Sequence, residues 1–221
     1  MVNIQNYLSR LTELLQENFG QRLLYVGLQG SYLRGEANEN SDIDIMVILD
    51  ELTVKDLDTY RGLVQSLECY DKSCGFICGE KDLANWNPLE IRNLLGSTRD
   101  YFGRLQDFVP AYGEQDLRNF VKMSLNNLYH ELCHRYIHAD RATNEECLPF
   151  TYKGVFFILQ NLHCLRTGNF ICTGAELLEA LEGKDRTVLA RSRAMKQGET
   201  FDFEESYGLL FAWCRDTLQR V

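Results

Sequence analysis

The sequence has no apolar run approaching the ~20 residues that a membrane-spanning helix requires. Its opening residues, Met1-Val2-Asn3-Ile4-Gln5-Asn6, have neither the basic nor the apolar region of a secretory signal. These absences lead to the expectation of a cytoplasmic protein with no membrane partner. Internal repeats, low-complexity tracts and polybasic runs are also lacking. Basic charge is in deficit, with 23 Lys and Arg against 32 Asp and Glu and a formal net charge of −9. Nucleic-acid binding draws most of its affinity from Lys and Arg at phosphates, so extended contact with a nucleic acid is excluded as a main role. A cleft of the opposite character would attract a cationic small molecule. Cysteine is not scarce, at eight residues, but the spacing is irregular and the positions fall inside apolar helices and strands. Reduced, buried thiols are expected rather than a disulfide framework.

What is present is an ordinary core-forming composition, 45% hydrophobic and 25% charged over 221 residues, enough for one large or two small domains. Ile4, Leu8, Leu11, Leu15 and Phe19 recur at helical spacing and stop at Gly20. Strands are expected near 22–29, 42–49 and 73–79, with a helix from about Thr53 to Tyr70 between the second and third. Trp86-Asn87-Pro88 and Tyr101-Phe102-Gly103 punctuate the chain after them. From Glu114 onward the pattern is almost wholly helical, with helices expected at 114–139, 149–166, 174–195 with a break near Gly183, and 203–220. The fold class expected is an α/β domain with a small mixed sheet over residues 1–103, followed by an all-α helical bundle over 104–221.

The chemistry concentrates in residues 30–44, Gly-Ser-Tyr-Leu-Arg-Gly-Glu-Ala-Asn-Glu-Asn-Ser-Asp-Ile-Asp. The apolar strand Leu23–Leu28 runs into Gly30-Ser31, where a glycine lets the backbone approach a ligand and N–H groups and the Ser31 hydroxyl point at an anion. Ten residues separate Ser31 from Asp42. In the strand that follows, alternation places Asp42 and Asp44 on one face, with Ile43 and Ile45 toward the core. Neighbouring carboxylates repel unless a cation sits between them, and Mg²⁺ favours one or two carboxylates plus substrate phosphate oxygens. The pair therefore points to a metal bridged to a nucleoside triphosphate and to in-line displacement at the α-phosphorus, with pyrophosphate leaving.

These residues resemble the nucleotidyltransferase superfamily that contains DNA polymerase beta. Its signature is a Gly-Ser turn followed by an Asp-x-Asp strand. The spacing, with Arg34-Gly35-Glu36-Ala37 inside it, is most similar to the minimal and the aminoglycoside-type members. The resemblance implies that Gly30 and Ser31 hold the β- and γ-phosphates and that Asp42 and Asp44 bind Mg²⁺. Arg34 is an outside candidate for phosphate or substrate. The resemblance also implies a third carboxylate on a neighbouring strand, completing the metal site or acting as base on the acceptor hydroxyl. The strand 73–78 carries no acid in its body; Asp71, with the parity of Ser73 and Gly75, is the candidate base, and Glu80 lies just beyond the other end. The expected function is Mg²⁺-dependent transfer of a nucleoside monophosphate, AMP from ATP, to a hydroxyl of a small-molecule acceptor such as an aminoglycoside-like antibiotic. A monomer or homodimer is expected. Two alternatives stay open: transfer of AMP to a protein, as in antitoxin-type relatives, and a catalytically weakened nucleotide-binding module. Several relatives resemble this plan in pairing the catalytic domain with a C-terminal helical bundle, and Arg166-Thr167-Gly168-Asn169-Phe170 followed by Thr173-Gly174-Ala175-Glu176-Leu177 is similar to a turn in the antibiotic-modifying bundles.

One competing motif is His130-Glu131-Leu132-Cys133-His134, which satisfies the H-E-x-x-H pattern of zinc proteases, with His138 one turn further. The core stripe of its helix is Leu117, Val121, Leu125, Leu128 and Leu132, and His130 lies about 200° from Leu128 at ~100° per residue. The histidines are thus expected to face away from the core, and no third zinc ligand follows at a family-typical spacing.

Overall fold

The computed structural model describes residues 2–221; Met1, the first residue of the expected catalytic domain, lies outside them. The chain divides into two compact units, Met1–Tyr112 and Gly113–Val221. The first unit begins with α1 (Ile4–Phe19), whose Asn3 side chain accepts from the Asn6 N–H at 3.1 Å and whose stripe Tyr7, Leu8, Leu11, Leu15 and Phe19 is buried. Then follow β1 (Leu23–Leu28), α2 (Gly30–Arg34), β2 (Ile43–Leu49), α3 (Val54–Gln65), β3 (Ser73–Gly79), α4 (Glu80–Ala84), α5 (Pro88–Gly96) and β4 (Arg99–Phe102).

The sheet is mixed, in the order β3-β2-β1-β4. β1 is antiparallel to β2 and β4, and β2 is parallel to β3. Asp44 stands beside Cys74, Met46 beside Phe76 and Leu49 beside Gly79. Alternation gives the sheet two apolar faces. Ile43, Ile45, Val47 and Leu49 pack with the α1 stripe on one; Met46 and Ile48 pack with Tyr25, Cys78, Leu83 and Leu105 on the other. α3 starts with a reciprocal cap in which Thr53 and Asp56 satisfy one another's backbone N–H groups. Arg22, just before β1, grips Asp56 with both Nη atoms at 2.8 and 3.0 Å and thereby ties α3 to the sheet.

Four features differ from the expectations. β4 was not anticipated: it has four residues with no clear alternation, and it exists because Val26, Gly27 and Leu28 offer an open edge and the buried Tyr25 hydroxyl donates to Asp100 at 2.8 Å. α3 stops at Gln65 instead of running to Tyr70, and residues 70–72 form a 3₁₀ turn. The third concerns residues 104–113, expected to join the two domains: they stay with the first unit up to Tyr112, where Leu105 is buried in the core with Met46 and Ile48, and Phe108 and Val109 pack beside it.

The fourth difference lies in the second unit, which contains α6 (Glu114–His138), α7 (Arg141–Thr167), α8 (Gly174–Ala180), α9 (Gly183–Lys196) and α10 (Phe203–Leu218). α7 begins at Arg141, not near 149, and continues through Pro149. An interior proline costs about 3 kcal/mol. Asp140 caps the N-terminus by accepting from Thr143 at 2.8 Å. The Asn144 amide donates to the carbonyls of Arg135, Ala139 and Asp140 at 3.0–3.3 Å, binding the end of α6 to the start of α7. Leu148, Tyr152, Val155 and Leu159 are buried on the same helix, and that burial offsets the proline. The unit's core also takes Leu128, Leu132, Leu210 and Trp213. Among the described residues, no helix is long and apolar enough to cross a membrane.

Candidate active site

β1 and β2 hydrogen-bond up to their open end, where the Gln29 N–H donates to the Asp44 carbonyl at 2.9 Å. The chain then turns at Gly30, which has φ +68 and begins the short helix α2. A Cβ built on Gly30 would lie 1.9 Å from Asp44 Oδ2 and 2.7 Å from its Cγ, so only glycine lets the turn and the carboxylate touch. Ser31 follows on α2, half-buried, and its carbonyl accepts from the Glu36 N–H at 2.9 Å, which closes the loop after the helix. Asp44 is half-buried within β2; Asp42 sits exposed immediately before the strand. The structure thus brings the Gly-Ser turn and the Asp-x-Asp strand to one end of the sheet. Arg34 stays beside Glu36, with Nε 3.2 Å from Glu36 Oε2.

The residue opposite Asp44 on the neighbouring strand is Cys74. Partners in register share a face, so the Cys74 thiol neighbours the Asp44 carboxylate. Partial desolvation first, then the neighbouring carboxylates Asp44 and Asp42, hold the thiol above its ordinary pKa.

Asp71, the expected base, precedes β3 at the end of the sheet where Asp42 precedes β2. It lies exposed in the 3₁₀ turn Tyr70–Lys72. Its parity partners, Ser73 and Gly75, stand beside Ile43 and Ile45, on the face packed against α1, where the Tyr7 hydroxyl donates to Ser73 Oγ at 3.3 Å. That is the face opposite Asp44, and Asp71 precedes β3 in a turn to which the alternation of the strand does not extend. Glu80 follows Gly79 at the far end of β3, about 20 Å along the strand from Cys74 at ~3.3 Å per residue. Among the described residues, neither acid forms a metal-holding group with Asp42 and Asp44. Cys74 escaped the sequence reading because parity within a strand is legible from sequence, whereas register between strands is not.

Among the described residues, no three His, Cys, Asp or Glu side chains form a group that could hold a metal ion by themselves. A pair of carboxylates beside an open turn nevertheless fits Mg²⁺, which retains substrate and water oxygens in its shell instead of a full protein cage.

The H-E-x-x-H helix is arranged otherwise. His130, His134 and His138 are exposed and stack along one side of α6, with ring centroids 5.9 and 4.8 Å apart. Glu131 is turned toward α7, where it accepts from Thr151 Oγ1 at 2.9 Å and pairs with Arg135 at 3.2 Å. The glutamate is therefore spent on helix packing.

The turn-and-carboxylate site lies within a stretch of the chain that matches a nucleotidyltransferase domain. Residues 8–98 match the family model described as the nucleotidyltransferase domain, and the chain carries a domain of that family. It is 45% identical over 49 residues to the protein adenylyltransferase MntA of Thermococcus cleftensis, a match that covers 22% of this chain and 48% of that protein. It is 37% identical over 65 residues to a candidate protein adenylyltransferase of Methanocaldococcus jannaschii, covering 29% of this chain and 63% of the other. The chain spans about half the length of the curated relatives it matches. In fold it is similar to the spectinomycin adenyltransferase AAD(9) from Enterococcus faecialis, solved with ATP and spectinomycin. That likeness has a TM-score of 0.61 and 14% identity and covers 98% of this chain and 100% of that one.

Proposed function

We propose that this protein transfers AMP from ATP to a hydroxyl group of a small-molecule acceptor in the cytoplasm, releasing pyrophosphate. The observation that carries the reading is the close approach of Gly30 to the Asp44 carboxylate, which in this reading puts a phosphate-holding turn and a cation-holding carboxylate within one ligand's reach. The first N–H groups of α2 have no intrahelical partner. In this reading they and the Ser31 hydroxyl hold the β- and γ-phosphates and keep the pyrophosphate leaving group aligned. Asp42 and Asp44 would hold Mg²⁺, which when bound would neutralise charge developing on the phosphate oxygens. The acceptor oxygen forms its bond to the α-phosphorus as the bond from that phosphorus to the bridging oxygen breaks. Asp71 is not given the role of base, since among the described residues it forms no metal-holding group with Asp42 and Asp44, and in this reading the acceptor's proton is released to solvent.

The fold shared with AAD(9) extends through the helical unit and supports a small acceptor, and the acidic balance of the chain suits a cationic one. A second reading, transfer to a protein side chain, is favoured by the names of the curated relatives matched over the site region. One experiment tests both: ATP labelled at its α-phosphate is incubated with Mg²⁺, the protein, and either a panel of aminocyclitol and aminoglycoside acceptors or a proteome extract. Label on a small molecule that disappears in the Asp42→Asn, Asp44→Asn variant supports the proposal. Label on a protein band alone moves the acceptor to the second reading, and ATP that is neither bound nor turned over rejects both.

A further inference from the structure

The face of the sheet that carries Asp44 also carries an aromatic pair that the site as described leaves unused. Phe76 stands two residues beyond Cys74 on β3, a step of about 7 Å, and pairs with Met46 as Cys74 pairs with Asp44. Trp86, arriving after α4, stacks on it with ring centroids 6.1 Å apart and planes 24° from parallel. The indole is fixed on several sides. Its Nε1–H donates to Glu90 Oε2 at 2.6 Å, and its backbone N–H donates to the Leu83 carbonyl at 2.9 Å. The next residue, Asn87, caps α5 by accepting from Leu89 at 3.2 Å, and Pro88 stiffens the first turn. Despite this anchoring Trp86 remains 38% exposed. A large aromatic side chain held at the surface, with its polar atom already satisfied, offers a π-face and no further hydrogen-bond demand.

We infer that Trp86, backed by Phe76, is the stacking platform for the nucleobase of the triphosphate. The inference rests on the proposed nucleotide site and adds to it the residue that holds the base. A base lies several ångströms from its α-phosphorus, on the scale of the strand step from Cys74, beside Asp44, to Phe76, on which Trp86 stacks. Because stacking is tolerant of base identity and scales with ring overlap, purine triphosphates bind more tightly than pyrimidine triphosphates.

The test compares ATP, GTP, CTP, UTP and inorganic tripolyphosphate by titration calorimetry with Mg²⁺ present, on wild type, Trp86→Ala and Trp86→Tyr. Trp86→Ala is expected to weaken ATP by about tenfold while tripolyphosphate binds unchanged, and Trp86→Tyr is expected to recover most of the loss. ATP should also quench the indole emission of the wild type and not that of Trp86→Ala, in which the buried Trp213 is the remaining tryptophan. Tripolyphosphate binding together with an ATP affinity indifferent to Trp86 would overturn the stacking role alone. Failure of wild type to bind either ATP or tripolyphosphate would overturn the nucleotide site and this inference with it.

Discussion

Replacing Gly30 with alanine separates the cost of backbone strain from the cost of displacing a functional carboxylate. Gly30 has φ +68, and an L-residue held there costs about 1–2 kcal/mol. For a chain of this size that corresponds to a fall of roughly 2–8 °C in the Tm of the first unit. The new Cβ would also start 1.9 Å from Asp44 Oδ2. The carboxylate must retreat by about 1 Å, and a misplacement of that order is enough to slow a positioned reaction ~100-fold. Gly35 supplies the control. It has the same φ, +68, but a Cβ there meets nothing within 4 Å. Gly35→Ala should therefore show a similar fall in Tm with near-normal transfer, whereas Gly30→Ala loses transfer by about two orders of magnitude. The assays are differential scanning fluorimetry and transfer of label from the α-phosphate of ATP, with calorimetric ATP binding as a readout independent of the acceptor. Equal transfer by the two variants would refute the argument, because it would mean that contact between the turn and Asp44 does nothing beyond shaping the backbone.

The Asp42→Asn, Asp44→Asn variant should lose transfer and Mg²⁺-dependent ATP binding while its Tm holds or rises, since two like charges at one end of the sheet are removed; turnover at the wild-type level would rule out the metal-bound mechanism. Cys74→Asp places a third carboxylate opposite Asp44, and it should tighten Mn²⁺ or Mg²⁺ binding several-fold by calorimetry. An unchanged affinity would show that position 74 does not reach the cation. Asp71→Ala should leave transfer within about twofold of wild type, because Asp71 lies exposed in the turn before β3 and forms no metal-holding group with Asp42 and Asp44 among the described residues; a loss of ~100-fold would establish it as the base. Hydrogen bonds from Arg22 and then Thr53 hold the Asp56 carboxyl far below its usual range, so its contribution to stability is present above about pH 4 and is lost as pH falls through the depressed folded value. Asp56→Asn should accordingly lower Tm at neutral pH, with the gap to wild type closing on acidification; a gap independent of pH would contradict that linkage.

The local parts of the site were legible in the sequence because their geometry is local. Alternation within one strand puts Asp42 and Asp44 on one face, and a glycine at a strand end marks a turn whatever surrounds it. The helical stripe of α1, the strands near 22–29, 42–49 and 73–79, and the almost wholly helical character after residue 114 follow from periodicities of the same kind. Other features depend on what lies across space. The third position opposite Asp44 belongs to Cys74 and not to Asp71 because β3 pairs with β2 in a particular register, and a one-residue slip would exchange the two faces. β4 exists because β1 has an open edge and a buried tyrosine to pin it, not because its four residues favour a strand. α7 passes through Pro149 because a cap, an amide bridge to α6 and a buried stripe outweigh the lost backbone bond. The stacked Phe76 and Trp86 are ten positions apart with a short helix between them, and neither spacing nor composition places one ring over the other. Periodicity is carried by each segment alone, whereas register, edge pairing and ring stacking are properties of two segments in contact, so only the folded chain decides them.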